Sequence, residues 1–122
     1  MTDSSKSRKP KIRMTPTYFH ILLSLVDEKK HGYSLMQEID QRTNGSLRLR
    51  PGSLYWSLNR LLEAGLIEEV DSPGNPDQTD ERRRYYRLTE AGVDLLTREA
   101  EVWAEITQLA VEKKVIRNPG LA

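Results

Sequence analysis

The stretch RPGSLYWSLNRLLEAGLIEE, Arg50 to Glu69, determines how the whole sequence is interpreted. Its leucines recur at spacings of four, three and one residue, which is the apolar stripe of a helix that packs on a core. The opposite side of the same helix carries aromatic, amide and guanidinium groups, on Tyr55, Trp56, Asn59 and Arg60. Glutamate and lysine are the simpler choice for a solvated face. The helix is therefore predicted to be anchored by its leucines and to present its other side to a partner.

The composition limits the class of protein. The chain has 122 residues, of which 37% are hydrophobic and 30% are charged, so one domain with one modest core is expected. No apolar run approaches the ~18 residues of a membrane span, and the basic N-terminus lacks the apolar segment of a secretory signal. The absence of cysteine excludes disulfides, thiolate metal sites and thiol nucleophiles. These features are typical of a cytoplasmic protein.

Charge is segregated along the chain, although the formal net charge is only +1. Basic residues crowd positions 6–13, three arginines follow one another at 82–84, and most acidic residues lie from Glu63 onward. This distribution predicts a polarised surface. Residues 1–13 lack periodicity and are predicted to form a basic disordered arm. That arm is either a solvated tail, a segment that touches nucleic-acid phosphate, or one that lies near the protein's own core.

A first helix is predicted ahead of the opening stretch. It begins at a threonine cap with Pro16 in its first turn, carries lysines and a histidine at its C-terminal end, and stops at Gly32. Helical spacing selects four apolar positions along it, namely Phe19, Leu22, Leu23 and Val26. These positions are expected to face the core.

The remaining elements follow from alternation and turn residues. A second, short helix ends at Asn44-Gly45, and SLRLR then alternates as a very short strand. After the third helix, which Gly65 closes, the runs LIEEVDS and RRRYYRLT flank the turn-forming PGNPDQTDE and predict a β-hairpin. One long helix is predicted over residues 89–114, with Thr89 as its cap and Gly92 inside its first turn.

Three helices followed by a two-stranded hairpin is the element order of a winged helix-turn-helix, whose third helix enters the major groove of DNA. The predicted fold class is mainly α with a small β-hairpin. Residues 14–88 form the predicted DNA-binding domain, 89–114 a C-terminal dimerisation helix and 115–122 a flexible tail. Hydroxyl, amide and guanidinium groups suit phosphates and base edges. The predicted DNA-binding residues are Ser53, Tyr55, Trp56, Asn59, Arg60, Arg82, Arg83 and Arg84.

Three motifs, HGYSLMQEI, PGSLYWSLNRLLEAGLIE and RRRYYRLTEAG, resemble in their order and spacing the PadR family of bacterial transcriptional regulators. The similarity covers roughly residues 14–112 and is to the short subgroup of that family. It implies a homodimer formed through the last helix, with double-stranded DNA carrying a palindromic operator as the partner and repression as the usual mode. It also implies that Ser53 and Tyr55 face DNA, that Leu54 faces the core, and that residues 83–86 form the returning strand of the wing.

Two features depart from the family pattern. Trp56 stands where many members have proline or glycine, so it either alters the sequence preference or packs on protein. The wing tip is acidic, with Asp77, Asp80 and Glu81, where members usually have glycine and basic residues. Because acids repel phosphate, the tip is not expected to enter the minor groove. The arginines that follow it are better candidates for DNA contact.

The last helix carries a wider apolar stripe than one small domain needs to cover. A seam with heptad-like spacing runs from Val93 to Ala110, and a second strip of Leu95, Val102, Ile106 and Leu109 adjoins it. An uncovered patch of this kind marks an interface, and a two-fold dimer is its simplest closure. The predicted dimer-interface residues are Val93, Leu96, Ala100, Trp103, Ile106 and Ala110.

Trp103, in the middle of that seam, allows two interpretations. It is either a plain tryptophan of the dimer core or an aromatic wall of a small-molecule site between subunits. In the short PadR-like regulators that sense drugs, a tryptophan at this place stacks on flat aromatic ligands, so the resemblance implies a small aromatic effector bound by Trp103, Ala100 and Thr107. Such an effector weakens operator binding by the difference in its affinity for two dimer geometries.

An enzyme is not predicted. The two histidines, His20 and His31, lie in an apolar helix and at a helix end, no serine has an evident base partner, and no glycine-rich phosphate loop occurs. No catalytic residue, metal site or cofactor is therefore expected. Two alternatives to a ligand-released repressor remain open, namely a ligand-independent repressor and a winged-helix protein-interaction module without DNA binding. The acidic wing tip and Trp56 favour the interaction module.

Overall fold

The computed structural model describes residues 11–71 and 84–117. These ranges contain four helices, α1 (Pro16–Ser24), α2 (Gly32–Arg42), α3 (Pro51–Glu63) and α4 (Glu90–Glu112), and three strands, β1 (Lys30–His31), β2 (Ile67–Val70) and β3 (Tyr85–Leu88). Their order confirms the predicted winged helix-turn-helix followed by a long C-terminal helix. The wing tip, with Asp77, Asp80 and Glu81, lies outside the described residues.

The core lies between the first three helices and the small sheet. Leu54, Leu58 and Leu61 of α3 have no exposed surface, which confirms the leucine stripe. Full burial of one such side chain is worth about 1.5–3 kcal/mol relative to leaving it in water. Ile12, which the sequence assigns to the basic arm, also packs against this core.

The first helix is shorter than predicted and buries a different set of residues. Its capping threonine is Thr15, whose Oγ1 accepts a hydrogen bond from the Tyr18 N–H at 3.3 Å. The helix ends at Ser24, and the predicted inward residues Leu23 and Val26 are both exposed. That prediction was wrong because apolar residues occupy more than one side of α1. The core covers the side that bears Tyr18, Ile21, Leu22 and Leu25.

The lysine–histidine segment that was expected to end the first helix forms β1 and the start of α2. His31 is the N-cap of α2, where its Nδ1 accepts a hydrogen bond from the Ser34 N–H at 3.3 Å. Gly32 is therefore the first residue of α2 rather than a helix stop. β1 pairs with β3, placing His31 opposite Tyr85. A strand of two residues has no periodicity that the sequence could reveal.

Two turns that position α3 form where the sequence predicts them. Asn44 and Gly45 end the turn after α2 with φ angles of 56° and 81°, in the left-handed region that favours asparagine and glycine. Gly65 closes α3 with a φ of 77°. The predicted short strand between α2 and α3 does not form, although Leu47 and Leu49 still pack against the core.

The described strands form one antiparallel sheet in the order β1-β3-β2. β2 and β3 are the two arms of the predicted hairpin, with Ile67 opposite Leu88 and Val70 opposite Tyr85. Ile67 and Tyr86 point into the core and are nearly fully buried. The sheet thereby attaches the base of the wing to the helical core.

The start of α4 is locked against the end of α3. Thr89 caps the helix, since its Oγ1 accepts from the Gly92 N–H at 3.1 Å and donates to the Gly65 carbonyl at 2.6 Å. Gly92 is buried, and a Cβ there would lie 2.1 Å from the Leu66 carbonyl oxygen. This contact explains a glycine in the first turn of a long helix.

A polar cluster joins α1, β1 and α2. Glu38 receives Lys30 Nζ and Arg42 Nη2, each at 2.7 Å. Arg42 also reaches α1, where Nη2 donates to the buried Ser24 hydroxyl at 2.9 Å and Nη1 lies 3.1 Å from His20 Nδ1. The cluster joins the first two helices and the strand between them.

None of the helices in the two described ranges combines the length and the apolar character that crossing a bilayer requires.

Candidate nucleic-acid interface

The N-terminus of α3 presents backbone donors to the outside. Ser53 Oγ accepts a hydrogen bond from the Arg50 N–H at 3.2 Å and donates to the Arg50 carbonyl at 3.1 Å, so this hydroxyl stabilises the helix start. Within the described residues, no backbone carbonyl accepts a hydrogen bond from the N–H groups of Gly52 and Ser53. Such donors at a helix N-terminus, together with the helix dipole, attract anions such as phosphate.

The outward face of α3 is centred on Trp56. At ~100° per residue, Trp56 lies about 200° around the helix axis from the buried Leu54, almost directly opposite the core. The indole is 60% exposed, and the Arg60 guanidinium carbon lies 5.4 Å from the ring centroid, which is cation–π distance. Asn59 is exposed beside it. The structure thus brings together the three predicted side chains Trp56, Asn59 and Arg60.

Tyr55 has a mixed environment. It is 39% exposed, and its ring covers Gly32 so closely that a Cβ on that glycine would lie 2.6 Å from the Tyr55 hydroxyl oxygen. Within the described residues no hydrogen bond satisfies this hydroxyl. Tyr55 therefore packs on the start of α2 through its hydroxyl and the adjoining ring carbon, and it remains partly exposed.

Of the three arginines predicted on the wing, Arg84 is among the described residues. Arg82 and Arg83 lie outside them. Arg84 is exposed and its Nε lies 3.3 Å from Glu69 Oε2 across the hairpin. Exposed pairs of this kind are worth at most about 1 kcal/mol, so a phosphate can compete for the guanidinium. Burial raises the pKa of the neighbouring Tyr86 hydroxyl, and the Glu69 carboxylate raises it further.

Two arginines that the sequence did not single out flank the same helix. Arg48 and Arg50 are exposed in the segment that leads into α3. Arg48 Nε lies 3.3 Å from Asp40 Oδ1. The sequence feature that could have indicated them is the alternation in SLRLR. It predicts a strand whose leucines face inward, and this interpretation gives the outward arginines no function. They extend the positive charge at the N-terminal end of α3.

The exposed apolar surface of α4 differs from the predicted seam. Leu96 is only 6% exposed and lies in the chain's own core, so it offers little surface to a second chain. Trp103 stacks on Phe19 of α1, with ring centroids 4.3 Å apart and an angle of 19° between the rings, and remains 37% exposed. The seam thus faces α1 and the core along part of its length, and the adjoining strip of Val102, Ile106 and Leu109 is exposed.

The other residues predicted for the interface and the ligand site differ in their exposure. Val93 and Ala100 are exposed, whereas Thr107 and Ala110 are half-buried. Leu23 of α1, one helical turn beyond Phe19, is a further exposed apolar residue. This α1 contribution was missed because the sequence assigned Leu23 to the core.

A helix-turn-helix with an antiparallel wing and an outward face of tryptophan, asparagine and arginine defines the winged helix-turn-helix class of proteins. Residues 21–98 match the transcriptional regulator PadR-like family, and the chain belongs to this family. It is a family of transcriptional regulators rather than of enzymes. The resemblance inferred from the three motifs is confirmed.

Individual relatives agree with this assignment. The chain is 34% identical over 91 residues to a transcriptional regulator of Mycobacterium tuberculosis, an alignment that covers 73% of this chain and 77% of the relative. Its structure is similar to that of a transcriptional regulator from Clostridium thermocellum, with a TM-score of 0.65, 26% identity, and 81% and 92% of the two chains covered. A PadR family regulator from Clostridium difficile gives a TM-score of 0.60 and 28% identity, with 78% and 96% covered.

Proposed function

We propose that this chain is a homodimeric, DNA-binding transcriptional repressor that inserts α3 into the major groove of a palindromic operator. The observation that carries the proposal is the outward face of α3, where Trp56, Asn59 and Arg60 are presented opposite the buried leucines. Asparagine and arginine are the side chains that pair bidentately with adenine and guanine edges. A regulator of this family with such a face has the chemistry for base readout.

Groups around α3 supply the contacts that position the helix on DNA. The backbone donors of Gly52 and Ser53 and the exposed guanidinium groups of Arg48, Arg50 and Arg84 can contact phosphates. Glu63 lies on the same outward side about 10 Å along the helix from Trp56. Its negative charge favours entry of the N-terminal half of α3 into the groove.

Dimerisation is proposed through α4. Val102, Ile106 and Leu109 form an exposed apolar strip on this helix, which is more apolar surface than a solvated helix presents. Packing two such strips about a two-fold axis covers them and holds two recognition helices about one DNA turn apart, ~34–36 Å. The operator is then a palindrome that mirrors the dimer.

The test of DNA binding is to select bound sequences from random duplex DNA and to measure affinity for the selected site across a range of salt concentrations. Binding through several phosphates weakens log-linearly with salt. Asn59→Ala should lower affinity by about 5- to 150-fold for each half-site, which corresponds to ~1–3 kcal/mol for each base contact, and should relax the preference at one position of each half-site. No selected palindrome, or a flat salt dependence, would overturn the proposal.

Phosphate contacts are tested separately from base contacts. Arg84→Ala should weaken binding to all sequences and reduce the salt slope by ~1 per subunit. Arg98→Ala, which removes the same charge from an exposed position of α4, is the matched control. Tyr55→Phe removes the hydroxyl and keeps the ring on Gly32, so a weaker complex of that variant reports lost DNA contact rather than lost packing. Equal affinity of the parent and Arg84→Ala chains would argue against the wing as a contact.

We further propose that a small planar aromatic effector releases the repressor by binding beside Trp103. Phe19 covers one face of the indole, so the effector stacks on the opposite face, between the subunits. The small side chain of Ala100 leaves space for the effector beside the indole. Thr107, one helical turn after Trp103, offers a hydroxyl group. A coupling of ~1–3 kcal/mol between effector and operator binding gives about 5- to 150-fold release.

The effector is sought in a Trp56→Phe background, because Trp103 is then the sole tryptophan. Planar aromatic compounds should quench its fluorescence and lower operator affinity in parallel. Both effects should disappear in Trp103→Ala. Operator binding that is indifferent to every compound that quenches would favour a ligand-independent repressor.

The alternative of a protein-interaction module is tested by the same selection. Trp56 is its main support, because a large exposed indole also suits a protein surface. A chain that enriches no DNA sequence and whose association with DNA fragments is insensitive to salt would favour that function.

A further inference from the structure

Trp56 combines high exposure with a central position on the outward face of α3. The ring is 60% exposed, and Arg60 lies over it at 5.4 Å. The core lies on the opposite side of the helix, so packing within this chain does not account for so large an apolar side chain in contact with water. Covering the indole with another apolar surface is favourable, because it removes apolar area from water.

We propose that Trp56 reads a thymine in each half of the operator, through contact of its indole with the thymine C5-methyl group. This inference rests on the proposed function, because it requires α3 in the major groove. It goes beyond that function by naming the base that this position selects.

The chemistry of the major groove favours thymine over the other bases. The C5-methyl group is the apolar feature of the base edges there, and thymine carries it next to the O4 acceptor. Indole has an apolar ring and a single N–H donor without an acceptor. Cytosine offers an amino donor in place of O4 and no methyl group, so it would meet the indole with a donor and lose the apolar contact.

The neighbouring side chains of α3 are not suited to contact a thymine methyl group. Asn59 suits adenine and Arg60 suits guanine, and neither offers an apolar surface to a methyl group. The cation–π contact keeps the Arg60 guanidinium next to the indole, so the two side chains approach the groove as one unit. Gly52, one turn before Trp56, has open space around its Cα and does not screen the ring.

The experiment replaces thymine by uracil, which removes the methyl group and keeps every hydrogen-bonding atom. The operator is first selected from random DNA with the parent chain, and each thymine is then replaced singly, in one or both half-sites. At one position, the parent should lose ~4-fold in affinity for one half-site and ~15-fold for both, which is the effect of one buried methyl group. Trp56→Ala should bind the thymine and uracil operators equally.

Two variants separate the methyl contact from other effects. Trp56→Phe keeps an apolar ring and should retain most of the discrimination between thymine and uracil. Asn59→Ala should weaken binding to both operators and leave their ratio unchanged. Because Trp56 is exposed, Trp56→Ala should unfold at the same temperature as the parent, which excludes misfolding as the cause of lost discrimination.

The outcomes distinguish this inference from the function on which it rests. A parent chain that selects no DNA sequence overturns both. A parent that binds a palindrome but ignores every uracil replacement overturns the thymine contact and leaves the DNA-binding function intact. A Trp56→Ala chain that keeps the discrimination, or that loses self-association instead, assigns the indole to another role and also overturns the inference.

Discussion

Two glycines at helix starts have opposite packing environments in this fold. Gly92 is buried at the start of α4, where a Cβ would lie 2.1 Å from the Leu66 carbonyl oxygen. Gly52 is exposed at the start of α3, and a Cβ there would meet nothing within 4 Å. The first glycine is required by the chain's own packing. The second is unfavourable for the helix and has no such requirement, which leaves open space at the turn where the proposed DNA contact lies.

Alanine substitutions at these two positions should therefore differ in sign. Gly92→Ala should destabilise the fold by ~3 kcal/mol, or roughly 10 °C in Tm, because a backbone carbonyl must move away. Gly52→Ala should stabilise the free protein by about 0.5 kcal/mol and weaken operator binding. Thermal unfolding and DNA titration measure the two effects. Equal stability of the two variants would contradict the packing assigned to Gly92.

At the scale of elements, a contact between His20 and Arg42 joins α1 to α2. His20 Nδ1 lies 3.1 Å from Arg42 Nη1, and this geometry requires Nδ1 to accept the hydrogen bond. Burial lowers the pKa of His20 below its usual 6.5, and the Arg42 charge lowers it further. Arg42 is in turn held by Glu38, which also binds Lys30. Protonation of His20 would place a second positive charge against Arg42.

The pH dependence of stability follows from this arrangement. Because the folded pKa of His20 lies below the unfolded value, the unfolded chain takes up more protons as the pH falls below about 6.5. Stability should therefore decrease from pH 7 toward the lowered folded pKa. His20→Gln keeps an acceptor for Arg42 but does not titrate, so its Tm should fall less between pH 7 and 5.5. Parallel Tm profiles for the parent and His20→Gln would contradict this role.

At the scale of the whole molecule, the proposed dimer requires one side of α4 to be free to contact a second chain. The exposed strip of Val102, Ile106 and Leu109 points away from the core, whereas Leu96 belongs to the core. A charge at Leu96 is therefore no test of the dimer, because it would unfold the domain by burying an unpaired carboxylate.

A charge on the exposed strip is the informative change. Ile106 is 60% exposed, so Ile106→Asp should leave the monomer fold intact and shift the molecule from dimer to monomer, because the carboxylate would be buried in the interface. Gln108→Asp places the same charge on another side of α4 and should remain dimeric. Molar mass from light scattering, with circular dichroism as the test of folding, measures both. A dimeric Ile106→Asp chain would contradict an interface on this strip.

Local patterns in the sequence determined the features that depend on residues close together in the chain, namely helix periodicity, turns and helix caps. The leucine spacing identified α3 and its buried side, and Asn44, Gly45 and Gly65 marked turns because few residues adopt positive φ. Thr89 marked the start of α4 because a threonine hydroxyl caps free N–H groups. The outward face of α3 could be predicted for the same reason, since one helix has fixed periodicity.

Only the tertiary structure decided which apolar residues of a wide stripe are buried and which residues far apart in the chain come into contact. The apolar stripes of α1 and α4 are wide enough to pack in more than one orientation, and contact with the core chose Leu25 over Leu23 and Val26, and Leu96 over Ile106. The pairing of β1 with β3 and the stacking of Trp103 on Phe19 join residues far apart in the chain. Periodicity gives the direction of a side chain around its own helix. The packed neighbours decide which of two adjacent apolar directions is buried, because only they exclude water from it.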